Sequence, residues 1–512
     1  MQWAEESTKT RNLKTQKELQ ETKKSLWFKK FLNYIQDIFS LDTRSLAVMR
    51  IGIWIVILID VIVRMYNLTA FHTDLGIIPS SVLFDNHAAE NIWSLHLISS
   101  AYRYQVVLFS THALVAVLFI LWWKTRIISV FVRILTLSMH WHNPLILNGG
   151  DTFTRVLLFR WMFLPRGQQR SIDNHTKKNP PIFVFSLATV WFICQLAFVY
   201  IFSAILKDHP RWMSEFTATY YALSLDGFRT SIGEWLYQFP EAMKALTAYS
   251  WYLESFGLLL LAIPRKKATW RMLCIFLFIT FHLWLGLTLH LYAFPWIMGL
   301  AWFALMPSVF WDTLISKIKN TWKSLPLWLS KITSIHVKQQ FSFLISLFLI
   351  LCLGYSYMRN LRTTDFDKYD DYLTRDMNRF GFLVRIDQYR NMFAPFPFTD
   401  NGWVALEWIK ADGSSVNLLH HDQEFNFYEP WDYQQHFKHE RWRKYFTSMR
   451  MKKNSDMRQY WANYFCYERN KTHNENDKVE SIKRRYMLDR TLPDYEKGDV
   501  EKVNIYEGNC DV

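Results

Sequence analysis

Long apolar runs recur along this chain as far as Met358, and a lipid bilayer is the environment that accommodates so many of them. They fall at about 45–66, 104–124, 127–147, 153–165, 181–206, 243–263, 271–292, 294–311 and 341–358. The fourth is short against the roughly 20 residues a helix needs to cross the hydrocarbon core. The sequence therefore predicts eight or nine spans. Mean hydropathy is only −0.05 because a polar C-terminal third dilutes the runs. The first 44 residues are polar and basic, with no early apolar core of the signal-peptide kind.

Charge placement sets the expected topology. The formal charge is +14, and it gathers in Lys9 to Lys30, Lys124 with Arg126, Arg166 to Lys178, Arg265 to Arg271 and Lys317 to Lys338. With a cytoplasmic N-terminus and nine spans, all of these lie inside, as the positive-inside rule requires. The intervening loops 67–103 and 148–152 are poor in Lys and Arg. A basic balance explained this way points to membrane lipid and gives no reason to expect nucleic acid.

The expected fold class is mainly α, a polytopic membrane helix bundle of about eight to nine spans followed by a small α+β extramembrane domain. Residues 1–44 form a basic segment in which Trp27, Phe28, Phe31, Leu32, Ile35, Ile38 and Phe39 share one face of an amphipathic surface helix. Residues 45–312 form the main transmembrane domain, and 313–358 a basic cytoplasmic linker with the last span. Residues 359–512 form the outer domain, on the periplasmic or lumenal side. Within it Asp412-Gly413 is a hairpin signal between alternating runs, and helical stretches extend from Glu440 to Asn470. Cys466 and Cys510 are available there for one disulfide if that side is oxidising. The other three cysteines lie in apolar runs, and no metal-ligand spacing accompanies them.

Arg50, Asp60, Arg133, Arg155, Arg160 and Glu254 lie inside apolar segments, where charge is costly unless paired or wetted. Asp60 and Arg64 are four apart and suited to pair on one helix. His140 and His142 are two apart, and His282 and His290 eight apart, spacings that do not put either pair on one helical face. No metal is therefore expected. Asn148-Gly149-Gly150-Asp151 reads as turn chemistry before the fourth segment.

One lysine closes the apolar run ending in Tyr200-Ile-Phe-Ser-Ala-Ile-Leu-Lys207-Asp-His-Pro-Arg-Trp212. Two readings are open. A helix-end lysine ordinarily snorkels to the headgroups. An amine at the edge of a dry site instead loses its proton readily, because desolvation disfavours the ammonium form.

Several motifs together resemble a known family. Ser45-Leu-Ala-Val-Met-Arg50-Ile-Gly, His142-Asn-Pro-Leu-Ile-Leu-Asn148-Gly-Gly-Asp151, Phe163-Leu-Pro-Arg-Gly167, Tyr221-Ala-Leu-Ser-Leu-Asp226 and Phe294-Pro-Trp-Ile297 lie in the membrane domain. Met392-Phe-Ala-Pro395 and Glu440-Arg-Trp-Arg-Lys-Tyr445 lie in the tail. They resemble the horizontally transferred transmembrane (HTTM) domain of vitamin K-dependent gamma-carboxylases, in its bacterial branch, over about residues 40–510. Tyr200, Lys207 and Trp212 keep the spacing that surrounds the proposed base in the animal enzymes. The resemblance implies that Lys207 is catalytic and that His142, Asn143 and His282 orient a quinone. It also implies a reduced vitamin K or menaquinone-type hydroquinone, with O2 and CO2 as co-substrates and no metal. The hydroquinone would be oxidised by O2, and the strong base so formed would remove a γ-proton from a glutamyl (or similar carbon acid) substrate that then takes up CO2. Two details depart from the animal pattern. Leu206 replaces the first of two adjacent lysines, and His142-Asn143 reverses an Asn-His pair.

The expected function is thus a lyase-type carboxylase acting on a peptide or protein at the outer face. The expected location is a bacterial inner membrane, or the endoplasmic reticulum of a eukaryote. The alternative is a non-catalytic membrane protein that serves maturation or assembly through a partner bound by its tail. A transporter is disfavoured, since paired interrupted helices and repeats are missing from the pattern.

Overall fold

Capping groups set where the membrane helices begin. In the computed structural model, Asp42 accepts from the Arg44 amide and opens helix α1, Thr43–Met65. The same carboxylate holds the Arg44 side chain at 2.8 Å and accepts from Ser308 Oγ, which ties the helix start to a distant segment. The structure describes residues 23–510 apart from 86–92, 121–124, 165–182, 264–267, 322–335, 339, 388–391, 418–423, 431–438, 475–476 and 497. Lys124, Arg166 to Lys178, Arg265 to Lys267 and Lys323 to Lys331, part of the expected inside charge, lie outside the described residues, as do residues 1–22 and Pro165 to Gly167 of one quoted motif.

The protein is mainly helical. After α1 come α2 (Tyr102–Ile120), α3 (Thr125–His142), α4 (Gly149–Trp161), α5 (Leu187–Leu206), α6 (Pro240–Phe256), α7 (Ala268–Thr288), α8 (Phe294–Phe303), α9 (Ser308–Thr321) and α10 (Phe343–Thr364). Five of these, α1, α2, α5, α7 and α10, are long and apolar enough to cross a membrane. Helices α8 and α9 make a sixth candidate only across a bend of 89°. The expected eight or nine spans thus meet shorter helices at three places, each with a local reason. Helix α3 stops where Asn143 and Pro144 start a 3-10 turn, α4 has 13 residues, and α6 ends at Phe256 before Gly257. Pro307, which lacks an N–H, separates α8 from α9.

Residues 23–39 are helical, and Trp27, Phe28, Phe31 and Leu32 are exposed on them. A three-stranded sheet joins distant segments at one end of the bundle. In it β1 (Leu41–Asp42) pairs antiparallel with β2 (Phe183–Phe185), which pairs parallel with β3 (His336–Lys338).

The tail begins with α11 (Arg375–Leu383) and then builds a sheet from β4 (Asp400–Lys410) and β5 (Ser415–Asn417). Helices α12 (Glu440–Arg450) and α13 (Arg458–Asn470) follow, and then β6 (Val479–Arg490) and β7 (Glu501–Asn509). The sheet order is β5-β4-β6-β7, antiparallel throughout. Gly413 takes φ +81° in the β4–β5 turn, where the Asp412-Gly413 signal lies. Cys466 and Cys510 are bonded, fastening the chain end to α13. Trp461, Phe446 and Leu406 of the tail pack in one core with Phe71 and Ile146 of the membrane domain. The tail is therefore seated on the bundle by apolar burial, the dominant favourable term in such contacts.

Candidate functional site

Lys207 is the last cap of α5, and its chemistry follows from what the next turns do. Its φ of −93° and ψ of 53° end the helix, and the His209 side chain caps a short helix with Pro210 at its first position. That turn folds Trp212 back until the Lys207 Nζ lies 4.2 Å from the centre of its ring. The Trp212 indole N–H donates to the Phe393 carbonyl at 3.1 Å, so the tail segment holds the lid of the site.

The amine is 5% exposed and does not snorkel. It donates to Glu254 Oε2 of α6 at 2.6 Å, and Ser203 Oγ donates to the same oxygen at 2.9 Å. The expectation of a solitary desolvated amine is thereby revised to a buried lysine–carboxylate pair. Desolvation favours the neutral amine with a neutral acid, and mutual attraction favours the ion pair. At 2.6 Å the two groups are close enough for a proton to pass between them.

A second polar group lies on the same wall. Trp302 Nε1 donates to the Tyr200 hydroxyl at 2.6 Å, and that hydroxyl meets His282 Nε2 at 2.6 Å. An indole N–H only donates. With the phenol hydrogen directed at His282 Nε2, the imidazole proton sits on Nδ1, which is buried with no hydrogen-bond partner among the described residues.

Lys207, Glu254, Ser203, Tyr200 and His282 all line one cavity of about 150 Å³. Most of its wall is apolar, with Phe281, Trp284 and Phe294 among the aromatic faces, and Met392 and Phe393 close it from the tail. The quoted Met392-Phe-Ala-Pro395 motif thus supplies two wall residues. Gly150 makes room nearby, since a Cβ there would lie 2.9 Å from the Phe294 amide nitrogen.

Of the four residues expected from the resemblance, Lys207 and His282 meet in this cavity. His142 and Asn143 do not line it. Asn143 is used as a cap, accepting from the Leu145 amide and donating to the Phe71 carbonyl, both at 3.2 Å. His142 packs with His72 and His96, with ring centres 5.0 and 5.9 Å away, in a separate buried cluster. The Phe71 backbone approaches His142 outside hydrogen-bond geometry.

A second group of buried charges fastens the tail to the bundle. Asp60 pairs with Arg64 at 3.1 Å, as their four-residue spacing predicts. Arg64 also reaches Asp151 at 3.1 Å. Asp151 completes a capping box with Asn148, so the turn reading of that loop holds and is extended by the ion pair. Arg441 of the tail enters this group, donating to Asp60 Oδ1 at 2.6 Å and to Asp151 Oδ1 at 2.8 Å. Burial alone would lower the Arg441 pKa, but Asp151 and Asp60 outweigh it and hold the guanidinium well above its ordinary value. Asp60, His140 and Asp151 have the composition of a metal site. The two guanidiniums already engage those carboxylates, so the cluster reads as a structural ion network.

Sequence reasoning had marked Glu254 as a membrane charge but not as the partner of Lys207. Opposite charges in separate apolar segments were the available signal. Comparison with family models, curated proteins and solved structures finds no match to this chain.

Proposed function

We propose that this protein is an integral membrane enzyme of the vitamin K-dependent gamma-carboxylase type. In this reading it couples oxidation of a reduced naphthoquinone to carboxylation of a glutamyl or similar carbon acid at the outer face. The observation that carries the proposal is the Lys207–Glu254 pair, which joins α5 to α6 and is buried in a mainly apolar cavity. The proposal takes nine membrane crossings, a cytoplasmic N-terminus and an outer C-terminal domain, the arrangement the basic runs favour.

The residues present fit a naphthoquinone headgroup. Aromatic faces offer stacking, and Lys207 and Glu254 offer polar atoms. His282 Nδ1 and Trp284 Nε1, both buried without hydrogen-bond partners among the described residues, belong to wall residues. When bound in reduced form with O2, the quinone supplies a strong base as it becomes an epoxide, with one oxygen atom lost as water. Lys207 Nζ accepts a hydroxyl proton, and Glu254 lets it do so by taking up the amine's own proton across their contact. Ser203 fixes the carboxylate, and the Tyr200–His282 pair orients a second oxygen. Trp212 and Phe393 keep water from a carbanion that water would quench. The substrate exchanges its γ-proton for CO2, and that proton leaves with the water or to solvent.

A non-catalytic role has one observation in its favour, because a lysine–glutamate pair also serves as a clasp between two helices. A direct assay separates the readings. Purified protein in detergent is given reduced menaquinone or vitamin K, labelled bicarbonate and a short Glu-containing peptide. Label together with quinone epoxide, both lost in Lys207→Ala at normal membrane levels, supports the enzyme. Neither product from folded protein across several quinols overturns it in favour of the assembly role.

A further inference from the structure

A recess at the far end of α10 carries its own chemistry. Helix α10 rises about 1.5 Å per residue. Arg359 and Arg362 therefore stand about 24 and 28 Å from its first residue, where a hydrocarbon core of about 30 Å ends. Helix α11 folds back along α10 from this end. Gly381 permits the approach, since a Cβ there would collide with the Tyr355 hydroxyl of α10. Phe380 sets its ring edge-to-face on Phe348, 6.3 Å between centres. The return brings Arg375 and Arg379 opposite Arg359 and Arg362 around a recess of about 430 Å³.

Four guanidiniums line it, against one lining carboxylate, Asp387. A second carboxylate, Asp370, pairs with Arg362. Asn378 directs its amide N–H groups to the Leu373 and Thr374 carbonyls. Two positive charges are left over among the described residues that meet there. Helix α11 is also amphipathic in the sense of an interfacial helix. Met377 and Phe380 are 41 and 39% exposed on the side away from Arg375 and Arg379. An arginine cluster beside an exposed apolar face, at the depth of the headgroups, fits a ligand with a phosphate and acyl chains.

We propose that Arg359, Arg362, Arg375 and Arg379 form a binding site for the phosphate of an anionic phospholipid. Guanidinium forks match phosphate oxygens, and α11 lies on the acyl boundary beside them. A zwitterionic headgroup would leave the excess charge uncompensated, so selectivity for net-negative lipid follows. The site is independent of the Lys207 cavity.

The test uses the full chain in nanodiscs of phosphatidylcholine with a minor fraction of phosphatidylglycerol, read by native mass spectrometry of lipid that survives release. The expected result is at least a fivefold preference for phosphatidylglycerol, removed in Arg359→Gln/Arg379→Gln. The preference is retained in Arg490→Gln, a surface arginine elsewhere. Equal retention by the double variant overturns the proposal. So does full displacement of the lipid by millimolar inorganic phosphate, which would make this a soluble-anion site. If the double variant is not monodisperse, single Arg375→Gln and Arg379→Gln variants replace it, and undiminished preference in both is the overturning result.

Discussion

Removing one member of the Lys207–Glu254 pair should be far costlier than removing both. Each side chain is 6% exposed, and the contact is 2.6 Å. Lys207→Met leaves Glu254 with Ser203 as its remaining close donor, a buried charge without its counterion. Such losses cost about 3–5 kcal/mol, whereas replacing both partners by apolar groups is often neutral or stabilising. The single variants Lys207→Met and Glu254→Leu should each lose about 3–5 kcal/mol. The double variant should recover most of that, short of about 1 kcal/mol for the Ser203 hydroxyl left without an acceptor. The cycle therefore predicts a coupling of several kcal/mol, measured by SDS titration of bicelle-reconstituted protein with tryptophan fluorescence. Additive single losses, with coupling under about 0.5 kcal/mol, would refute a desolvated ion pair at this position.

Arg441→Met leaves Arg64 as the one arginine on Asp60 and Asp151 among the described residues and should loosen the tail by about 3–5 kcal/mol, seen as faster limited proteolysis after residue 359. A surface substitution such as Arg490→Met should leave the digestion rate unchanged. Burial lowers the His96 pKa from 6.5 to about 4. Since the folded value lies below the unfolded one, the stability it contributes is present above pH 6.5 and is lost as the pH falls toward 4. His96 alone accounts for about 3 kcal/mol of that loss; a thermal midpoint unchanged between pH 7 and 4.5 would contradict it. Reducing Cys466–Cys510, which closes a separation of 44 residues, should cost the tail about 4 kcal/mol in the chain-entropy account. Denaturant unfolding with and without reductant measures it.

What the sequence made legible was local. Asp60 and Arg64 are four apart, Lys207 and Trp212 five apart, and the Asp412-Gly413 hairpin is set by backbone conformation; each appears in the fold. What stayed hidden depends on contacts between remote segments. Glu254 is 47 residues from Lys207, Phe393 is 181 from Trp212, and Arg441 is 381 from Asp60. No periodicity encodes those separations. The apolar runs were read correctly as helices, but hydropathy does not register how Asn143-Pro144, Gly257 and Pro307 shorten or bend them. Asn143 illustrates the limit of motif reasoning. Its neighbour in sequence packs in a histidine cluster, while its own side chain is taken up by a helix cap.

The central claim is that Lys207 and Glu254 handle a proton for a bound quinol. The most direct measurement is single-turnover epoxide formation from reduced menaquinone and O2, comparing wild type with Lys207→Met/Glu254→Leu. The double variant is expected to fold within about 1 kcal/mol of wild type while lacking the proton acceptor. The account predicts epoxide from wild type and none from the double variant. Equal epoxide yield from both would contradict it.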